Sequence, residues 1–178
     1  MIVPDNNCNK CDLCRWRTNI VLPCGDLRSK VVLVGEAPGE SEDFRGIPFV
    51  GKSGQILDNA MAAAGLKRSD VMITNTVKCR PPKNRDPTDE EMSVCRQFLN
   101  SELKHCSMVV GLGKLAIMDL IGYEGSIWKI VNKKMKVVVE GEEKIFLPTY
   151  HPMSCVYRKE SEVKLIEAMT IVKEFMER

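Results

Sequence analysis

Four short, mostly apolar runs separated by helical patterns constrain this chain more than any other feature: Val31 to Gly35, Met72 to Val77, Met108 to Leu112 and Ile145 to Tyr150. Runs this short and apolar read as buried strands. Between them, Lys52 to Gly65 places Ile56, Leu57, Met61 and Ala64 on one helical face and ends on a glycine stop. A second helix opens at Asp86-Pro87-Thr88-Asp89-Glu90-Glu91, where Thr88 and Glu91 have capping-box spacing and acids crowd the first turn, and it runs to about Leu103. Lys114 to Ile121 and Glu160 to Met176 are two further helices. Strands alternating with helices imply right-handed crossovers and a parallel sheet covered on both faces. The expected fold is therefore α/β, a three-layer α/β/α sandwich around a central, mainly parallel four-stranded sheet, with residues 1–178 as one domain. Lys136 to Leu147, turning at Glu140-Gly141-Glu142, reads as a hairpin inserted before the last strand. In such sheets ligands bind beyond the carboxyl ends of the strands, which directs attention to the residues that follow each run.

Composition narrows the setting. A chain of 178 residues buries enough surface to fold without disulfides, so its eight cysteines need another explanation. No apolar run approaches a membrane span, and the N-terminus lacks the basic start and apolar stretch of a signal peptide. A cytoplasmic, reducing location is expected, where grouped cysteines more often bind metal or react than form bridges. With 26 Lys and Arg against 24 Asp and Glu, the net charge of +2 does not indicate a nucleic-acid binder; only local clustering can.

Two motifs look like nucleotide sites but lack the context for one. Gly46 to Ser53 satisfies the G-x-x-x-x-G-K-[ST] pattern, yet Glu42-Asp43-Phe44-Arg45 precedes it rather than a strand. Gly111 to Ala116 matches G-x-G-x-x-A, but no acidic residue lies on a strand end about twenty residues later to hold a ribose. Its glycines are better read as permitting a tight turn, with Ala116 allowing close helix packing.

Cys8 and Cys11 form a C-x-x-C pair, and Cys79 and Cys95 a second, distant pair. Four thiolates suit zinc or an iron–sulfur cluster. Spacing alone equally allows a local site of Cys8, Cys11, Cys14 and Cys24. Cys106 and Cys155 read as small buried hydrophobes.

Three segments begin at the carboxyl ends of expected strands: Gly35-Glu36-Ala37-Pro38-Gly39 with Glu42-Asp43 and Gly46-Ile47-Pro48-Phe49-Val50-Gly51; Thr74-Asn75-Thr76-Val77-Lys78-Cys79-Arg80-Pro81-Pro82-Lys83-Asn84-Arg85; and Tyr150-His151-Pro152. In order and content they resemble the motifs of the fourth, iron–sulfur-containing family of uracil-DNA glycosylases, and the resemblance covers nearly the whole chain. It implies a DNA-repair enzyme of base excision, a monofunctional hydrolase of the N-glycosidic bond of uracil that leaves an abasic site. It also implies a structural [4Fe-4S] cluster on Cys8, Cys11, Cys79 and Cys95.

The residues carry the chemistry on their own terms. An enzyme acting on a base must hold it outside the stack, between an aromatic face and hydrogen-bonding groups. Phe49 can supply the face. The Asn75 amide can donate to uracil O4 and accept from N3–H, a pattern that cytosine mismatches at both positions. By resemblance, His151 donates to O2 as negative charge develops there, and backbone N–H groups of the Glu36–Ala37 turn contact the base. Other glycosylase families hold the water with an Asp or Asn in the first motif, where this chain has Ala37; Glu36, Glu42 and Asn84 are the candidates here. Asp43 beside them reads equally as a solvated loop residue or a helix cap.

Lys78, Arg80, Lys83 and Arg85 place four cations within eight residues, and with Asn84 they form the expected phosphate contact. Lys129, Lys133, Lys134 and Lys136 form a second cluster that an ordinary solvated surface explains as well. Where the family presents leucines that wedge into the duplex, this chain reads Met153-Ser154-Cys155-Val156-Tyr157-Arg158, leaving Val156 and Tyr157 as wedge candidates. The expected partner is uracil-containing DNA, bound by a monomer with no membrane contact; a sliding clamp or another replication or repair protein is a further partner class. Two alternatives stand beside this one. A metal-stabilised DNA-binding protein without catalysis would not need Asn75 or His151. A relative that traps the abasic sugar covalently needs a histidine in the basic loop, and Arg80 to Pro87 has none.

Overall fold

The computed structural model describes residues 1–178. Its strands are β1 (Cys24–Gly25), β2 (Val31–Gly35), β3 (Met72–Asn75), β4 (Met108–Leu112), β5 (Met135–Val139) and β6 (Glu142–Thr149). Its helices are α1 (Glu40–Arg45), α2 (Lys52–Ala63), α3 (Asp89–Leu103), α4 (Lys114–Ile121) and α5 (Lys159–Met176). One sheet forms in the order β1-β3-β2-β4-β6-β5. The four central strands are the four apolar runs, and they pair in parallel.

The sheet has six strands rather than the expected four. β1 and β5 add to the two edges in antiparallel pairing. β1 has only two residues, too few to show a period, and β5 alternates buried and exposed positions as a half-solvated edge does. The expected hairpin exists, but it is not inserted before the last strand. Its second arm continues without a break into the last strand, so that Glu142 to Thr149 is one element.

Helices cover both faces. Leu57, Ala60 and Met61 of α2 and Leu165, Ala168, Met169 and Val172 of α5 pack on Val31, Leu33, Ile73 and Val110. Leu99 and Leu103 of α3 and Ile117 of α4 pack on Val32, Val34, Val109 and Phe146. The capping box forms as its spacing predicts: the Glu91 N–H donates to Thr88 Oγ1 (3.2 Å) and the Thr88 N–H to Glu91 Oε2 (2.8 Å).

The two nucleotide-like motifs have other structural uses. Gly46 ends α1 at φ 70° and Gly51 starts α2, so the first motif joins two helices and no strand feeds it. Gly113, at φ 97°, turns β4 into α4, and a Cβ there would meet Glu36 Oε1 at 2.6 Å and the His151 Cβ at 2.8 Å. This glycine lets the turn close against two residues of the site described next.

Candidate active site

The parallel strands reverse their order of addition at β2, with β3 on one side and β4 then β6 on the other. A cleft of about 350 Å³ opens there, at the carboxyl ends of the strands. Glu36 and Ala37 follow β2, Asn75 ends β3 and His151 lies two residues beyond β6, and all four line the cleft with Glu42 and Phe49.

Sheet register and a small residue shape the inner part of this cleft. Gly35 is the partner of Asn75 in the β2–β3 ladder. A Cβ on Gly35 would sit 2.4 Å from Phe49 Cζ and 2.5 Å from Asn75 Oδ1, so the ring and the amide meet over a position that only glycine leaves open. Phe49 is buried, holds φ at 54°, and has its ring centroid 6.1 Å from that of His151. A phenylalanine in the left-handed region is strained and must be held. Arg68 holds it, donating to the carbonyls of Pro48 (3.2 Å) and Phe49 while its Nε is anchored on Asp58 at 2.6 Å. Sequence patterns alone gave no sign of Arg68, because it acts on backbone carbonyls twenty positions away.

His151 begins the short 3₁₀ turn Pro152–Val156, and its Nδ1 accepts the Met153 N–H at 3.2 Å. A ring nitrogen that accepts carries no proton, so the neutral imidazole bears its hydrogen on Nε2. Burial pushes the pKa down to about 4, and nearby Glu42 offsets only part of this. His151 is thus a neutral hydrogen-bond donor at physiological pH.

The two glutamates differ. Glu36 accepts the Leu115 N–H on Oε1 at 3.1 Å, and burial raises its pKa above the ordinary carboxylate range. Glu42 is buried in α1, and its Oε1 accepts the N–H groups of Val50 (2.9 Å) and Gly51 (2.7 Å) at the start of α2, while its Oε2 has no hydrogen bond within the protein. Neighbouring Asp43 is neither solvated nor a cap of its own helix. It is buried, accepts the Thr18 N–H at 2.8 Å, and ties the N-terminal segment to α1.

Lys78 is a correction to the expected DNA contact. Its side chain is 1% exposed and points inward, donating to Thr74 Oγ1, the Asn75 carbonyl and Glu102 Oε2, each at 2.7 Å. It stabilises the end of β3 from inside. Asn84 and Arg85 line the cleft, Lys83 is exposed beside them, and Arg80 donates to Asn84 Oδ1 at 2.7 Å. Arg85 also pairs with Glu91 at 2.7 Å. Val156 and Tyr157 lie outside the cleft on the turn that follows His151, 42% and 81% exposed.

Cys8, Cys11, Cys79 and Cys95 line one small, mostly apolar cavity with Leu13, Val94 and Phe98. Cys24 stands apart, beside Arg68, so the four do not include it. All eight thiols are free, and no three of the cysteine, histidine or acidic side chains stand at metal-ligating distances. Burial pushes the Cys79 and Cys95 thiols up to about 11.

Comparison with known proteins gives the family. Residues 22–171 match the model of the Uracil DNA glycosylase superfamily. The type-4 uracil-DNA glycosylase of Archaeoglobus fulgidus is 41% identical over 158 residues, covering 85% of this chain and 79% of the relative. That of Thermotoga maritima is 38% identical over 169 residues, covering 93% and 86%. A type-5 enzyme of Pyrobaculum aerophilum is similar over a shorter stretch, 57% of this chain. The chain belongs to the uracil-DNA glycosylase superfamily, and within it to the type-4 uracil-DNA glycosylases.

Proposed function

We propose that this chain removes uracil from DNA by hydrolysing the N-glycosidic bond, leaving an abasic site for base-excision repair. The observation that carries the reading is the convergence of Phe49, Asn75 and His151 on one cleft at the carboxyl ends of the sheet. A flipped uracil stacks on Phe49 and pairs its O4 and N3–H with the Asn75 amide. His151 donates from Nε2 to O2 as the bond to the sugar lengthens and charge moves onto the base. A neutral donor suits this step, since it stabilises the anion without having to transfer its proton.

Of the water-holding candidates, Glu42 has the better geometry. Two backbone N–H groups fix Oε1, and Oε2 remains to orient water and face the cationic sugar. Glu36 is committed to the Leu115 N–H and shapes the turn that presents backbone donors to the base. Exchanging Glu42 for Gln should lower kcat by about 10²- to 10⁴-fold with little change in KM, as single-turnover kinetics would show.

The same reading assigns a structural [4Fe-4S] cluster to Cys8, Cys11, Cys79 and Cys95. The donor set fits: four sulfurs and no carboxylate or imidazole border the cavity, and a soft cluster wants four thiolates. When bound, the cluster would supply a cross-link between the N-terminal segment, the β3–α3 loop and α3, with no redox step in bond cleavage. Arg80, Lys83, Asn84 and Arg85 meet DNA phosphates, and Val156 or Tyr157 fills the gap left in the stack. The protein acts as a monomer on uracil-containing DNA.

The deciding experiment incubates the protein with a uracil-containing oligonucleotide and then treats it with alkali. Strand breakage at the uracil is expected. Intact strands from protein with a loaded cluster would leave only the non-catalytic DNA-binding alternative.

A further inference from the structure

We propose that the loop from Ile127 to Lys134 is a second DNA contact, holding the strand that flanks the flipped nucleotide through Lys129, Lys133 and Lys134 and offering Trp128 as a stacking platform for an unpaired base. The proposal rests on the glycosylase reading for the position of the flipped nucleotide, but its surface can be tested separately.

The loop lies at the active-site end of the sheet. The Asn132 N–H donates to the Pro148 carbonyl at 2.8 Å, near the end of β6, and its side-chain amide donates to the Lys164 carbonyl of α5 at 2.8 Å. His151 is three residues beyond Pro148, about 10 Å of extended chain. That is about three base-pair steps along a strand. The loop is therefore within reach of the nucleotides that adjoin one held in the cleft.

Its chemistry suits single-stranded DNA. No acidic residue occurs between Ser126 and Val139, and Lys129, Lys133 and Lys134 are exposed without a carboxylate partner. Lys136 is excluded because Glu143 pairs with it at 2.8 Å. Trp128 is 67% exposed, although an indole this large is normally well covered. Lys129 Nζ lies 5.6 Å from the centroid of its ring. An exposed aromatic face among unpaired cations is how proteins hold single strands, with bases stacking and phosphates meeting lysine.

The placement also balances the first basic loop. Residues 80–85 follow β3 and the lysine loop adjoins β6, three strand positions away in the sheet order. At the usual strand spacing this is about 14 Å, with the cleft between them. A strand crossing the sheet edge would be gripped on both sides of the flipped nucleotide.

Kinetics on two uracil substrates test this, a single-stranded 25-mer and a 5-mer too short to reach the loop. Trp128→Ala should raise KM on the 25-mer by about tenfold, with Trp128→Phe restoring most of it. Joint exchange of Lys129, Lys133 and Lys134 for Gln should reduce the salt-dependence slope of 25-mer binding by about 2. Both variants should leave 5-mer kinetics unchanged. Unchanged 25-mer values, or equal losses on the two substrates, would overturn the proposal. If the unaltered protein released no uracil from either, the glycosylase reading would fail, and anisotropy with uracil-free 25-mer would still decide the loop's role by the same slope.

Discussion

At the scale of single residues, environment overrides side-chain type. His151 is neutral because burial holds its pKa near 4. An unfolded histidine titrates near 6.5, so between 6.5 and 4 the unfolded chain binds a proton that the folded chain refuses, and stability falls as pH falls through that window. The loss from this one group between pH 7 and pH 5 is about 2 kcal/mol. Exchanging His151 for Gln should remove that part of the pH dependence in urea unfolding, and the unaltered enzyme's rate profile should have no inflection near 6.5. Lys78 makes the same point in reverse. In the sequence it stands among exposed cations, and lysine is almost never fully buried without a partner. Its partner Glu102 is 24 positions away, on the inner side of α3, where no local pattern connects the two. Removing one member of a buried pair leaves the other charge uncompensated, so Lys78→Ala should cost about 3–5 kcal/mol in denaturant unfolding. Lys83→Ala should cost almost nothing in stability and weaken DNA binding instead.

At the scale of elements, legibility followed local pattern. The central strands announced themselves as apolar runs and α3 by its capping box, because each signal depends on neighbours in sequence. β1 and β5 did not register as parts of the sheet, since a two-residue strand has no period and a half-exposed edge looks like any hairpin arm. α1 carries no periodic signal because its six residues are mostly polar, and its buried acids face backbone N–H groups that only the fold brings near. The α1–α2 connection was legible as motif but not as mechanics. Phe49 was identifiable from its motif, while its positive φ and the Arg68 clamp that maintains it come from contacts across the fold. Arg68→Met should let the connection relax, lowering stability by about 1–3 kcal/mol and reducing kcat/KM more on uracil substrate than it reduces DNA affinity. Melting curves and binding measured on the same preparation would separate the two effects.

At the scale of the whole molecule, the cavity lined by Cys8, Cys11, Cys79 and Cys95 brings the N-terminal segment against the β3–α3 loop and α3. Residues before β1 contribute only Leu13, Cys8, Cys11 and Ile20 to a small apolar cluster away from the two sheet faces, which they share with Val77, Cys79, Met92, Cys95 and Phe98. Without a cross-link, this part of the molecule depends on a small core, on the Asp43 contacts to Thr18 and Asn19, and on the hydrogen bonds from the Val21 N–H to the Lys78 carbonyl and from Arg17 to Cys79 Sγ. Burial raises the Cys79 and Cys95 thiols even with the Arg17 guanidinium beside Cys79, so assembly of the proposed cluster would displace their protons, and the segment and the basic loop should become ordered together as it forms. Cys79→Ala should therefore abolish the brown absorbance of the cluster and increase proteolysis before residue 24, while also weakening DNA binding through the loop after β3. Cys106→Ala should have none of these effects, because Cys106 is buried with Leu99, Leu103 and Val109 and donates only to the Leu103 carbonyl. Absorbance and limited proteolysis of the two variants make the comparison. Loss of colour in both, or in neither, would mean that the four sulfurs around the cavity are not the ligands.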